Sequence, residues 1–230
     1  MTNFNKTLYI LCAAGIASCT QMNQKKADDG QRPNSFPTLA DAGKAAQSDM
    51  LAAIEQKVDL AIDKEALRNA APAAGIKILS LNPDVLIQAD TGMNLYKMAT
   101  EEGNMLVPYL HNGSVIAVAY LSQQDAQFTI TGLGDRVVTE ELNTLFLLNP
   151  KLQGAISMVR VANLNATFYL IGEANSMQQS NPAASVFSSY KGHNLREPMN
   201  EREFLSNLAQ DARIFREQYG DSLKKNRLVR

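Results

Sequence analysis

An α+β fold, a mainly antiparallel sheet with N-terminal and C-terminal helices packed on it, follows from three features of the sequence. Apolar residues recur at helical spacing near both ends, over 38–70 and 200–215. Short segments of alternating apolar residues lie between them. An Asn-Gly pair joins two of these segments as a hairpin. Helices outside a mainly antiparallel sheet make an α+β domain.

The first helix has Pro37 just outside it and Thr38 as its cap. Leu39, Ala42, Ala46, Met50, Ile54 and Val58 recur at three- and four-residue steps, and Leu51 and Ala61 widen the stripe. Lys44, Gln47, Asp49, Glu55 and Lys57 occupy the opposite face. An amphipathic helix can also lie on a membrane, but an Ala-rich stripe with few basic residues suits packing on a sheet. Residues 60–71 either continue this helix or form a second short one.

After Gly75, the alternation from Ile76 to Leu81 reads as a strand. Residues 105–110 and 115–120 then meet across His111-Asn112-Gly113-Ser114. Asn-Gly at the centre of a two-residue loop fits a type I′ turn, which needs positive φ at both positions. The expected register sets His111 opposite Ser114, Tyr109 opposite Ile116, Val107 opposite Val118 and Pro108 facing Ala117. Proline has no N–H for a ladder, so this strand should be an edge strand, or bulged at Pro108.

Residues 127–131 read as a third strand, and 139–148 as a short helix capped by Thr139 with Glu140 and Glu141 in its first turn. Residues 156–162 and 166–171 form a second strand pair, joined through Asn163-Leu164-Asn165. Residues 173–199, rich in Ser, Asn and Gln, read as a long excursion or lid. Asn200 and Glu203 make a capping-box-like start to a final helix whose apolar face is Phe204, Leu205, Leu208, Ala212 and Phe215. There is no internal repeat.

The chain has 230 residues, with Lys+Arg 22 against Asp+Glu 23. Such a balance speaks against a nucleic-acid partner, which selects for a basic face. Cys12 lies within an apolar leader and Cys19 closes it, so the remaining domain has no thiol beyond its first residue. A disulfide framework, a Cys-based metal site and a thiol nucleophile are thereby excluded.

Residues 1–18 read as a signal peptide: a polar start with one charge at Lys6, an apolar core from Leu8 to Ala17, then small residues before Cys19. A ten-residue core makes about 15 Å of helix, too short for a bilayer core of about 30 Å. Ile16-Ala17-Ser18-Cys19 resembles the lipobox of bacterial lipoproteins, and the resemblance covers only this leader. It implies a diacylglyceryl group on the Cys19 sulfur, cleavage before Cys19 and acylation of the new amine. Two or more acyl chains hold a protein stably on a membrane. Thr20, where an Asp would signal inner-membrane retention, implies the outer membrane by the same resemblance. Residues 19–36 are polar and read as a disordered tether, with a reach of about 20–24 Å. Residues 37–230 form a single α+β domain.

Sequence patterns for chemistry are sparse. Gly132-Leu133-Gly134 precedes a helix, but Val137 stands where a third glycine would be and Asp135, Glu140 and Glu141 would repel a phosphate. It reads as a turn. Ser188-Ser189-Tyr190-Lys191 matches the Ser-x-x-Lys of penicillin-interacting enzymes, but the Ser-Asp-Asn and Lys-Thr-Gly partners are missing. His111 and His193 lack zinc-site spacing and read as loop residues. Asn112-Gly113-Ser114 and Asn165-Ala166-Thr167 match the glycosylation sequon, which a bacterial lipoprotein leaves unused.

The sequence therefore names no catalytic, cofactor-binding or metal-ligating residue, and one modification site, Cys19. The expected protein is an envelope lipoprotein, anchored to the membrane by the Cys19 lipid, that acts as a non-enzymatic protein-binding or accessory module with another envelope protein as partner. A small-ligand or lipid-binding module is the alternative. A cell-wall or glycan hydrolase would need two carboxylates about 5–9 Å apart in a cleft. Replacing Cys19 with Ser should abolish incorporation of labelled fatty acid and leave the precursor uncut. Acyl label in the Cys19→Ser protein would overturn the assignment.

Overall fold

A computed structural model describes residues 35–89, 93–149, 156–172 and 185–227. The leader, Cys19, the tether through residue 34 and residues 173–184 of the expected lid lie outside the described residues. The fold is α+β, with a mostly antiparallel sheet and helices at both ends of the domain. In chain order, helix α1 (Leu39–Glu55) and the short α2 (Lys64–Arg68) come first. Strands β1 (Ala71–Pro72) and β2 (Ile76–Ser80), then helices α3 (Pro83–Ile87) and α4 (Leu95–Met98), follow. Strands β3 (Thr100–His111), β4 (Ser114–Gln124) and β5 (Gln127–Leu133) lead to helix α5 (Arg136–Leu148). Strands β6 (Ile156–Val161), β7 (Ala166–Ile171) and β8 (Ser185–Ser188) precede helix α6 (Glu201–Arg227).

The caps explain most helix starts. The Thr38 hydroxyl accepts from the Asp41 N–H at 3.1 Å, as its position before the stripe predicts. Asn82 and Asn94 cap α3 and α4, two helices the periodicity does not reveal because each is about one turn long. Helix α5 starts three residues before the expected Thr139. Asp135 is its cap, accepting from the Val138 N–H, and Thr139 lies inside the first turn with its hydroxyl donating to the Asp135 carbonyl. Gly134, at φ +68, turns the chain into this cap. Asn200 caps α6 through Arg202 and Glu203.

The sheet order is β5-β4-β3-β2-β6-β7-β8, with β1 paired to β3. Among the described pairs, β2 with β6 is parallel and the rest are antiparallel. The Asn112-Gly113 turn has φ of 50 and 79, as a type I′ turn requires. His111 faces Ser114 as expected, but the register beyond differs. A bulge sets Tyr109 opposite Ala117, Pro108 opposite Val118 and Val107 opposite Ala119. Beside the bulge, Asn143 of α5 takes the Val115 N–H at 3.0 Å. Val115 thus packs under α5, while Ala117, two residues on, packs on the opposite face.

Pro108 does not mark an edge. Strand β3 lies inside the sheet, and the missing N–H falls at the break between β1 and β2, where the Pro108 carbonyl accepts from Ala73 at 2.8 Å. The outer strands are β5 and β8. Each carries a backbone bridge at one position. Phe36 exchanges two 2.8 Å backbone hydrogen bonds with Phe128 of β5, and Met199 donates to Val186 of β8 at 2.8 Å. Phe36, assigned to the tether by sequence, is therefore part of the folded domain.

Both sheet faces are covered. Helix α1, with α2, lies over β3–β5, burying Ala42, Ala46 and Met50 against Val107, Tyr109 and Leu121. The Tyr109 hydroxyl donates to the Gly43 carbonyl at 2.6 Å. A Cβ at Gly43 would lie 3.3 Å from Pro72 Cβ, so glycine permits this close approach. On the other half of the same face, α6 buries Phe204, Leu205 and Leu208 against Val159, Phe168 and Leu170. The opposite face is covered by α5, through Val138, Leu142, Leu145 and Phe146. No described helix is long and apolar enough to cross a membrane.

Two glycines separate backbone strain from crowding. Gly113→Val should cost about 1–3 kcal/mol from positive φ alone, because a Cβ there meets nothing within 4 Å. Gly103→Val should cost more, since its φ is +72 and a Cβ would stand 2.6 Å from the Gln123 carbonyl oxygen. Urea unfolding of both variants tests this ranking, and equal stabilities would contradict it.

Candidate functional site

A cleft of about 660 Å³ opens beside the N-terminal half of α5. Its helix wall is Asp135, Val137, Val138 and Glu141, its sheet side includes Arg160 and Thr167, and Ser189 to Lys191 close another side. Strand alternation sets this composition. Met158 and Tyr169 face α5 whereas Val159, Val161, Phe168 and Leu170 face α6, so Arg160 and Thr167, two residues from Met158 and Tyr169, fall on the α5 side.

Polar residues lining the cleft are held by Tyr120 and Tyr169 behind them. The Tyr120 hydroxyl donates to Asp135 Oδ2 at 2.7 Å and accepts from Arg160 Nη2 at 2.8 Å. The Arg160 Cζ stands 4.9 Å from the centre of the same ring, within cation–π range. Gly132 makes room for that ring, since a Cβ there would lie 3.2 Å from Tyr120 Cδ2. Deeper in, Glu141 is 8% exposed. Its two oxygens accept from the Tyr169 hydroxyl at 2.7 Å and from the Ser189 hydroxyl. Asp135 uses its second oxygen on the Val138 N–H. All four carboxylate oxygens thus hold a hydrogen bond from the protein. Among the described residues, no buried side-chain nitrogen or oxygen lacks a partner.

These environments favour neutral phenols. Burial, then Glu141, pushes the Tyr169 phenol well above its ordinary value of 10. Burial and the Asp135 hydrogen bond raise Tyr120, with Arg160 opposing. At the rim, burial and Asp211 push Tyr190 up to about 12. The Tyr190 hydroxyl and the Lys191 ammonium both reach Asp211 of α6.

The sequence patterns resolve as structural. Gly132-Leu133-Gly134 ends β5 and forms the turn into α5, whose first turn Asp135 already caps. Ser188 of the Ser-x-x-Lys match is fully buried, and its hydroxyl donates to the Thr167 carbonyl and accepts from the Tyr190 N–H. Lys191 pairs with Asp211 instead of Ser188. His111 ends β3, and His193 packs edge-on against Phe204 at 6.3 Å. No group of three or more His, Cys, Asp or Glu among the described residues could hold a metal ion.

Sequence reading named Glu141 only as a first-turn carboxylate and did not single out Arg160, Tyr120 or Tyr169. The polar residues Arg160 and Thr167, each interrupting an apolar strand, were the available signal. No family model matches the chain, and neither a curated protein nor a solved structure resembles it significantly.

The tyrosine network sets a pH limit. A phenol with a raised pKa holds its proton more tightly in the folded chain than in the unfolded one. Stability is therefore at its full value below about pH 10 and falls as the pH rises beyond it, by about 1.4 kcal/mol per unit for each such phenol. Tyr169→Phe should lose about 1–3 kcal/mol at neutral pH, and its alkaline decline should be shallower than that of the unaltered chain. Parallel alkaline slopes in urea unfolding would show that Tyr169 does not contribute.

Proposed function

We propose that this chain is a lipid-anchored protein of the bacterial cell envelope, held at the outer membrane, whose domain binds a small polar ligand without chemical conversion. The observation that carries the ligand reading is the cleft of about 660 Å³ beside α5. Small-molecule sites fall at about 300–1,000 Å³ with a few convergent polar groups. The anchor reading rests on Ile16-Ala17-Ser18-Cys19 and on the acylation that motif implies.

Three observations favour this over the competing readings. Strand addition at Pro108 has no open edge to use, because β3 pairs with β1 and β2 on one side and with β4 on the other. Hydrolysis by a carboxylate pair is disfavoured because Asp135 and Glu141 have every oxygen engaged by Tyr120, Val138, Tyr169 and Ser189. The polar lining also favours a polar ligand over an acyl chain.

Thermal unfolding of the full chain against a panel of small polar metabolites tests the reading. A true ligand at a hundred times its Kd should add about 2.7 kcal/mol. Val137 lines the cleft and is 65% exposed, so Val137→Trp should obstruct the opening without altering unliganded stability. The expected result is a ligand-induced rise in Tm that this substitution removes. A panel without effect, with an envelope protein binding equally well to the Val137→Trp chain, would replace this reading with the protein-binding one.

A further inference from the structure

We propose that the cleft receives the anionic end of its ligand, a carboxylate or phosphoryl oxyanion, on the guanidinium of Arg160. The inference rests on the small-ligand reading and adds the chemical class of the ligand.

The argument is one of remaining hydrogen-bond capacity. A guanidinium has five N–H donors in a planar fork and no acceptor. Among the described residues, the Arg160 side chain makes one hydrogen bond, from Nη2 to the Tyr120 hydroxyl. That partner is neutral, because burial raises the Tyr120 pKa. Among the described residues, no salt bridge joins Arg160 to a carboxylate. Asp135 meets it only through the shared Tyr120 hydroxyl, which accepts from Arg160 and donates to Asp135. The guanidinium nevertheless lines the cleft and is held over the Tyr120 ring. No buried side-chain nitrogen among the described residues is without a partner, so the donors Arg160 has left are solvent-accessible, on a residue that lines the cleft.

The carboxylates of the same cleft are in the opposite condition. Both oxygens of Asp135 and both of Glu141 accept from the protein. Their charges lower the potential around Arg160, so recognition depends on the geometry of the fork more than on net charge. A bidentate pair with an oxyanion supplies that geometry, and a lysine cannot reproduce it. Thr167 pairs with Arg160 across β6 and β7 and lines the same cleft.

The test uses the full chain in detergent micelles, with ¹⁵N resonances of the Arg160 Nε and of the Thr167 and Ser189 amides as readouts. Inorganic phosphate, acetate and, as a neutral control, glycerol are titrated at constant ionic strength. Phosphate, acetate or both should shift the Arg160 Nε saturably, and glycerol should not. A response to phosphate alone assigns a phosphoryl ligand, and one to acetate alone a carboxylate. Arg160→Gln should weaken anion binding at least tenfold, read on the two amides. Should that variant fail to fold, Arg160→Lys, which keeps the charge and loses the fork, should weaken it at least fivefold. Neutral compounds shifting the cleft amides while both anions leave Arg160 unmoved would overturn the inference and leave the small-ligand reading standing. Cleft amides that respond to no anion, polyol or metabolite would overturn both.

Discussion

The architecture depends on where β2 sits. Five residues, Ile76 to Ser80, pair antiparallel with β3 and parallel with β6, and so join β3–β5 to β6–β8 in one sheet. A strand in that position must bury both faces. Ile76 and Ile78 point into the cluster under α5, and Leu79 packs with α6 on the other side. The parallel pairing also fixes the cleft. It aligns Ser80 with Arg160, and the Leu81 N–H donates to the Arg160 carbonyl at 2.9 Å. A slip of one residue in β6 would turn the guanidinium into the apolar cluster beneath α6, where a charge has no partner.

The single helix on the α5 face explains the cleft. The opposite face carries α1 and α6 as its main cover, with three short helices beside them. Helix α5 has 13 residues, about 20 Å of length, and leaves part of the sheet uncovered at its N-terminal end. Polar side chains occupy that gap. Their hydrogen bonds are arranged so that phenols and hydroxyls donate to carboxylates, with Arg160 donating to Tyr120. Buried polar groups without partners cost several kcal/mol, so a complete network is the condition for placing Glu141 at 8% exposure.

The ends of the sheet bear on how the domain meets other molecules. An unpaired outer strand is a template for association. Here the two outer strands are β5 and β8, and residues from just before α1 and α6 bridge them. The Phe36 bridge ties the segment just before α1 to the β5 edge.

The sequence by itself determined the local elements whose causes are local. Thr38 before an apolar stripe made α1, Asn112-Gly113 made the turn, and Asn200 before Phe204 and Leu205 started α6. Pro108 signalled a missing ladder bond, but neither an edge nor a bulge lies at that residue: it pairs with Val118 inside the sheet, and its missing N–H falls at the break between β1 and β2. Features that depend on distant partners were not legible. The hairpin register moves by one at a bulge beside Val115, whose N–H is taken by Asn143, 28 residues away. The start of α5 moved because Asp135 competes with Thr139 for the cap, a choice that Gly134 and Tyr120 decide. Strand β8 is four residues in a serine-rich stretch and exists because β7 offers it an edge. The cleft was least visible, since Tyr120, Asp135, Glu141, Arg160 and Ser189 are spread along about seventy residues with no fixed spacing. Only tertiary structure assembles them, because their common property is a place under one short helix and not a pattern in the chain.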